Sequence, residues 1–241
     1  MTIPVRDMKS RNVVSLAMDL LALSGNDPAV AEALELAAFA HDGALRKEHR
    51  PDTDYLDPYV IHPIRVALRL IRLCGADGEL PETELLIAAL LHDTLEDAPE
   101  RVARFYDQAP EEEISFVARA VLAQRFGTEV LDTVVRVTNP APVTIPGGST
   151  AAQRAELKNQ RYLTHLRQQV LPDRRATAVK AGDLIDNAGS LHWMAPGARR
   201  NRLATKYHEP VAQVAAGARE HGMTALAARL DRVLTTLSTL V

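Results

Sequence analysis

One apolar stretch, residues 85–91, constrains the fold more than any other part of this sequence. It reads LLIAALL and runs directly into His92, Asp93, Glu96 and Asp97. A helix that is apolar on every side belongs in a core, whereas burying a charge without a partner is strongly unfavourable. The sequence therefore predicts a helix that enters a core and ends in charged groups needing compensation. A cation is the obvious candidate for that compensation.

The rest of the chain also has the pattern of helices. Apolar residues recur at spacings of three and four over residues 12–23, 28–41, 62–75, 82–96, 114–127, 129–137, 152–170, 176–191, 200–216 and 224–237. Asp27-Pro28 and His62-Pro63 are typical helix starts, with proline at the first helical turn. Strand alternation and repeats of fixed period are not apparent, so we predict an all-α fold and interpret the polar stretch RPDTDYLDPY as a loop.

Composition narrows the class of protein. The 241 residues suit one large domain, or one domain with extensions, and the 46% hydrophobic content allows a real core. A net charge of −3 provides no overall basic field for nucleic acid, and the arginine clusters are interpreted as solvated helix faces. The single cysteine, Cys74, fits a reducing compartment, and no apolar run approaches twenty residues. We expect a soluble cytoplasmic protein without a nucleic-acid or membrane partner.

The charged end of the apolar helix carries a pattern suited to metal chemistry. His92 and Glu96 are four residues apart, as are Asp93 and Asp97, so each pair shares a helix face. Imidazole beside carboxylate is a partial ligand set for a divalent cation, and the two further acids could position or deprotonate water. The alternative is a solvated helix end with an acidic tip. The apolar run 85–91 disfavours this alternative, because a helix of that composition must enter a core.

Two other stretches can supply the missing ligands. His62 lies among apolar residues in PYVIHPIRVA, where it could instead be a core histidine bonded to the backbone. Asp183 lies in ATAVKAGDLIDNAGSL and shares a helix face with Asn187, although it could instead be a surface acid paired with Lys180.

In this order, the motifs resemble the HD superfamily of metal-dependent phosphohydrolases, and in detail the alarmone hydrolases homologous to RelA and SpoT. Those enzymes remove the 3′-pyrophosphate from guanosine tetra- and pentaphosphate. AHDGALRK resembles their first motif, PYVIHPIRVA the second, AALLHDTLEDAP the third and fourth, and VKAGDLIDNAGSL their KLADRLHN segment. The resemblance covers about residues 36–195 and implies an HD-domain helical bundle.

The resemblance also implies roles for individual residues. The implied ligands of one metal ion per chain are His62, His92, Asp93 and Asp183. Family members usually use Mn²⁺, which mixed nitrogen and carboxylate ligands suit. The residues implied to orient or activate the attacking water are Glu96 and Asp97. The residues implied to hold the nucleotide are Arg46 and Lys47, at the base and phosphates, and Asn187, at the sugar.

Three departures from the family pattern lie near the site. The chain inserts EHRPDTDYLD between Arg46-Lys47 and Pro58-Tyr59, where the family usually has only a few residues bordering the base. Gly182 stands where the family has alanine, and Asp186 stands where it has histidine or tyrosine. Asp186 would add negative charge near a polyphosphate unless its side chain faces away. The departures leave the metal ligands intact and concern the choice of base.

We predict an N-terminal helical extension over residues 1–26 and an HD hydrolase domain over residues 27–241, with the C-terminal helices packing on its core. The predicted activity is Mn²⁺-dependent release of pyrophosphate from a guanosine alarmone. One alternative is an HD phosphohydrolase acting on another phosphorylated nucleotide: an adenosine alarmone, NADPH or a nucleotide monophosphate. A non-catalytic alarmone-binding sensor is the second alternative. The expected partner is a small nucleotide, and a homo-oligomer is left open.

Overall fold

The protein is described by a computed structural model that covers residues 8, 12–49, 56–79, 81–105, 113–140 and 150–240. The first half contains α1 (Val13–Leu23), α2 (Pro28–Ala40), β1 (Leu45–His49), β2 (Leu56–Pro58), α3 (Ile61–Ala76), α4 (Thr83–Leu91), α5 (Thr94–Asp97), α6 (Pro99–Arg104) and α7 (Ile114–Phe126). The second half contains α8 (Thr128–Val137), α9 (Ala151–His165), a π-helical segment (Leu166–Val170), α10 (Arg174–Asn187), a 3₁₀ helix (Ala188–Trp193), α11 (Ala198–Glu220) and α12 (Thr224–Ser238). The all-α prediction is confirmed.

Capping residues explain where helices α2 and α9 begin. The Asp27 carboxylate accepts a hydrogen bond from the Ala29 backbone N–H at 2.8 Å, and Pro28 occupies the first position of α2. Thr150 and Gln153 form a reciprocal capping box at the start of α9. Each cap satisfies an N–H group that has no partner within its helix.

The inserted stretch after Lys47 differs from the loop that the sequence predicts. Its ends form an antiparallel pair of strands, with Leu45 opposite Pro58 and His49 opposite Leu56. Antiparallel pairing satisfies the backbone groups of two segments that leave and return at neighbouring points. The tip of the insertion, residues 50–55, lies outside the described residues.

The helix predicted over residues 82–96 is also not continuous, because α4 ends at Leu91 and α5 begins at Thr94. Two side chains donate hydrogen bonds to backbone carbonyls at this point. His92 Nδ1 donates to the Ala89 carbonyl at 2.9 Å, and Thr94 Oγ1 donates to the Leu91 carbonyl at 2.7 Å. Such bonds compete with the regular helical ladder. The prediction of one uninterrupted helix was therefore wrong at the turn that carries His92 and Asp93.

The apolar run of α4 lies at the centre of the core, as its composition predicts. Every residue of the run 85–91 is buried. Helices α2, α3 and α8 pack around it, and α10 also contacts it. The charged residues that follow the run therefore emerge from the middle of the bundle.

Helix α1 belongs to the same hydrophobic core, since Leu16 and Leu20 are fully buried and the helix packs on α3. Helices α11 and α12 pack on each other and on α10. The boundary between residues 26 and 27 stays a prediction. None of the helices in the described ranges combines the length and the apolar character needed to cross a membrane.

Gly182 explains the close approach of α3 and α10, the two helices that hold His62 and Asp183. A Cβ atom added at Gly182 would lie 2.9 Å from Cγ1 of Val66, closer than van der Waals contact allows. Valine is stiff about its first side-chain torsion and cannot turn away easily. The alanine of the resembled family would therefore fit here only if Val66 moved.

We expect Gly182→Ala to destabilise the protein despite the better helix propensity of alanine. Overpacking typically costs about 1–3 kcal/mol, against a propensity gain of about 1 kcal/mol. Urea unfolding measures the difference. The matched control is Gly75→Ala in α3, where an added Cβ meets nothing within 4 Å and the substitution should stabilise by about 0.4–1 kcal/mol. Equal stabilisation by both substitutions would show that Val66 does not restrict this position.

Candidate metal centre

His62 lies in the first turn of α3, and its ring is fully buried. Its Nδ1 donates a hydrogen bond to Asp186 Oδ2 at 2.7 Å, so its partner is a carboxylate and not the backbone. A proton on Nδ1 leaves a lone pair on Nε2 in the neutral ring. This lone pair is directed away from Asp186, toward the turn after α4.

His92 presents its ring in the same way from the end of α4. Its Nδ1 donates to the Ala89 carbonyl, and the rings of His62 and His92 have centroids 5.1 Å apart. The Nε2 atoms of both rings are buried and have no hydrogen-bond partner among the described residues. Two buried nitrogens that face each other without partners require a compensating group.

Two carboxylates complete the cluster. Asp93 Oδ2 lies 3.6 Å from His62 Nε2 and 3.2 Å from His92 Nε2. Asp183 Oδ1 lies 3.4 Å and 4.0 Å from the same two atoms. Atoms that bind one cation at about 2.0–2.2 Å have separations of this size. The four predicted ligands are thus brought together, and their donor set fits a divalent cation.

The interruption after α4 makes this geometry available. Adjacent residues on a regular helix do not face the same point. At the turn between α4 and α5, however, His92 Nε2 and Asp93 Oδ2 approach each other. The break in the helix therefore lets two consecutive residues contribute to one site.

In the absence of a metal ion, bound protons offset the negative charges of the carboxylates in this centre. Burial acts to lower the pKa of His92, but the nearby carboxylates, Asp93 above all, raise it to about 9. Burial also opposes ionisation of Asp93, yet its histidine neighbours and Tyr59 hold its pKa well below the usual range. A divalent cation held by these residues would take over this role, since histidines that bind a metal must be neutral and metal binding releases protons.

Asp183 is held in place from both sides. Lys180 Nζ lies 3.0 Å from its Oδ2, and Asn187 Nδ2 donates to its Oδ1 at 2.5 Å. Lys180 is buried and lies 5.8 Å from the centroid of the Tyr162 ring. Pairing with Lys180, considered from the sequence as an alternative to metal binding, therefore coexists with a position in the metal centre.

Arg46 and Asn187, both predicted to bind the nucleotide, form one connected unit with Asp183. Arg46 is buried, and its Nη2 donates to Asn187 Oδ1 at 2.8 Å. Asn187 in turn donates to Asp183. Their predicted roles toward the nucleotide stay predictions, and nothing is described of the Lys47 side chain.

Glu96 and Asp97, the residues predicted to act on water, are exposed on α5. The Glu96 carboxylate accepts hydrogen bonds from the Asn139 backbone N–H at 3.2 Å and from its Nδ2 at 3.1 Å. Partial burial, with Asp93 and Glu96 nearby, raises the pKa of Asp97 to about 6. Two carboxylates with different surroundings therefore lie next to the predicted metal ligands along the chain.

Tyr59 lies at the site although the motif pattern predicts no role for it. Its hydroxyl donates to Asp93 Oδ2 at 2.7 Å and also interacts with Asp97. Burial and Asp93 raise the pKa of Tyr59, so its hydroxyl stays a donor. The available signal was its position within the same motif as His62.

The spacing of Arg65 and Arg69 in the sequence is that of a polar helix face opposite the apolar side of α3. Arg65 and Arg69 are instead buried, because they pair with Asp186 of α10. Asp186 is itself fully buried behind His62. Its charge is therefore neutralised within the bundle and faces away from the side of His62 that carries Nε2.

Residues 59–188 match the model of the HD domain family. The chain belongs to the HD domain family. The matched segment begins at Tyr59 and includes all four predicted metal ligands. In this HD domain, the buried histidine and aspartate cluster is a group that could hold a divalent metal ion.

Two curated relatives are guanosine-3′,5′-bis(diphosphate) 3′-pyrophosphohydrolases by name. The relative from Aquifex aeolicus is 31% identical over 208 residues, which are 86% of this chain and 25% of that protein. The relative from Danio rerio, MESH1, is 28% identical over 194 residues, which are 80% of this chain and 88% of that protein. The chain therefore spans a quarter of the first relative and most of the second.

A solved structure is similar in fold. It is described as a metazoan orthologue of SpoT that hydrolyses ppGpp and plays a role in starvation responses. The two chains superpose with a TM-score of 0.55 at 21% identity, covering 87% of this chain and 96% of the other. This similarity supports the HD-domain helical fold.

Proposed function

We propose that this HD domain hydrolyses the 3′-pyrophosphate linkage of guanosine tetra- or pentaphosphate, using one Mn²⁺ ion. One observation carries the proposal: the buried Nε2 atoms of His62 and His92, which have no hydrogen-bond partner in the described part of the chain, lie beside the Asp93 and Asp183 carboxylates. The names of the two relatives supply the substrate class.

The proposed metal ligands are His62, His92, Asp93 and Asp183. A divalent cation held there would neutralise phosphate charge and lower the pKa of a bound water. Glu96 and Asp97 orient the attacking water and accept its proton. Support for the second role is the raised pKa of Asp97, about 6, which suits a proton acceptor near neutral pH.

The proposed nucleotide contacts are Arg46 and Lys47, at the base and phosphates, and Asn187, at the sugar. The hydrogen bond from Arg46 to Asn187 supports a shared role, since it joins these two residues and continues to Asp183. A nucleotide bound to this unit would therefore lie next to the metal.

A substrate panel tests the proposal. The Mn²⁺-loaded protein is incubated with guanosine 3′-pyrophosphates, their adenosine analogues, NADPH and nucleotide monophosphates, and the products are separated by chromatography. We expect pyrophosphate and guanosine di- or triphosphate. Preferred turnover of another nucleotide would instead support a different HD phosphohydrolase. Tight binding of the alarmone without any product would support a sensor.

The inserted hairpin gives a prediction about choice of base. It extends from β1, the strand that carries Arg46. We expect that replacing residues 50–55 by an Asn-Gly turn changes the ratio of kcat/KM between guanosine and adenosine 3′-pyrophosphates. A site built to form hydrogen bonds with one base has polar groups that stay unpaired when another base is bound. Mn²⁺ binding should stay intact. An unchanged ratio would mean that the insertion plays no part in base selection.

A further inference from the structure

We propose that Asp186 is a positioning residue that fixes the ring orientation and tautomer of His62, so that His62 presents Nε2 to the cation. This proposal concerns the metal centre and does not depend on which nucleotide is the substrate. Asp186 stands where the resembled family has histidine or tyrosine, so the family pattern does not supply this role.

The contact between Asp186 and His62 is short and buried. His62 Nδ1 lies 2.7 Å from Asp186 Oδ2, and both side chains are fully buried. A carboxylate oxygen can only accept here, which requires the proton of the neutral imidazole to be on Nδ1. The lone pair is then on Nε2, the atom that has no partner among the described residues.

Two buried arginines lie against the Asp186 carboxylate. Arg65 Nε donates to Oδ1 at 3.0 Å and Arg65 Nη2 donates to Oδ2 at 3.3 Å, while Arg69 Nη1 lies 2.8 Å from Oδ1. A buried carboxylate without such partners would be protonated. Cationic partners favour the charged form of a buried carboxylate, and a charged acceptor strengthens a hydrogen bond such as the one from His62.

Regular helical spacing on α3 and α10 places these side chains together. His62, Arg65 and Arg69 follow one another at spacings of three and four along one face of α3. Asp183 and Asp186 are three residues apart on α10 and contact opposite edges of the His62 ring: Asp183 Oδ1 lies 3.4 Å from Nε2, and Asp186 lies at Nδ1. The ring is therefore held between two carboxylates of the same helix.

The two ligand histidines differ in their supporting partners. His92 Nδ1 donates to a neutral backbone carbonyl, whereas His62 Nδ1 donates to a carboxylate. An anionic partner raises the basicity of a ligand imidazole, and removing such a partner typically weakens metal binding about 10–100-fold. His62 should thus be the ligand whose affinity for the metal depends on the buried charge.

The test compares Asp186→Asn with Arg69→Gln, and Mn²⁺ affinity is measured by titration with detection of free Mn²⁺ by electron paramagnetic resonance. Arg69→Gln is the matched control because it disturbs the same buried charges while Arg65 still holds Asp186 beside His62. We expect Asp186→Asn to weaken Mn²⁺ binding about 10–100-fold and Arg69→Gln to change it less than about 3-fold. Unchanged affinity in Asp186→Asn, or equal losses in both variants, would overturn the proposal.

A second measurement uses the unaltered protein and so does not depend on the variants folding. In the diamagnetic Zn²⁺-loaded protein, ¹⁵N NMR of the imidazoles should show a proton on His62 Nδ1 and zinc bound to Nε2. Zinc on Nδ1, or a proton on Nε2, would overturn the proposal. Both readouts are independent of nucleotide hydrolysis, so they can succeed even if the proposed substrate is wrong.

Discussion

Replacing His92 by alanine is expected to abolish stoichiometric Mn²⁺ binding, whereas the unaltered protein should bind about one ion per chain. The substitution removes one of the two buried Nε2 atoms that have no other partner among the described residues. It also removes the imidazole that lies beside the carboxylates of Asp93 and Asp183. Elemental analysis after gel filtration measures the metal content, and Asp93→Ala should behave in the same way.

A histidine outside the cluster provides the control for that experiment. His221 Nε2 bonds to the Leu171 carbonyl at 2.9 Å, and this residue is not part of the metal centre. His221→Ala should therefore retain Mn²⁺ within measurement error. Unchanged metal content in both His92→Ala and Asp93→Ala would contradict the assignment of the centre.

The second large effect is expected from Glu96→Gln, which should retain Mn²⁺ and lose about 10²–10⁴-fold in kcat, the range typical of general acid–base groups. The substitution keeps the size of the side chain and removes the negative charge that would orient or deprotonate water. Asp97→Asn should show a loss of the same order, because its carboxyl has a pKa near neutrality. Steady-state kinetics and metal content are measured on the same samples.

Asn139→Ala separates catalysis by Glu96 from a purely structural role of its hydrogen bonds. Asn139 holds the Glu96 carboxylate through its side-chain amide and its backbone N–H, and the variant keeps the backbone bond. We expect a much smaller loss of kcat than in Glu96→Gln. Equal losses would indicate that Glu96 acts mainly by anchoring Asn139. Loss of metal from Glu96→Gln would make Glu96 a ligand, and full activity with metal bound would remove it from the mechanism.

Much of the helical framework follows from local sequence. The run 85–91 is apolar on all sides, and a segment of that kind is stable only inside a core, where α4 lies. Asp27-Pro28 starts α2 because the carboxylate caps a backbone N–H that the helix itself cannot satisfy. The motif order also identified the four residues that α3, α4, the following turn and α10 bring together, although their roles as ligands stay predictions.

The compensation of buried charge was decided only by the tertiary structure. Arg65 and Arg69 have the spacing of a solvated helix face, and periodicity alone does not distinguish that face from one paired with another helix. Their partner, Asp186, lies on α10, 121 residues beyond Arg65. The break between α4 and α5 likewise depends on hydrogen bonds that side chains donate to backbone carbonyls. Apolar patterning thus determined that these segments are helices with at least one buried face. Polar groups are satisfied by whichever partner the packing brings near, and only the assembled bundle supplies that partner.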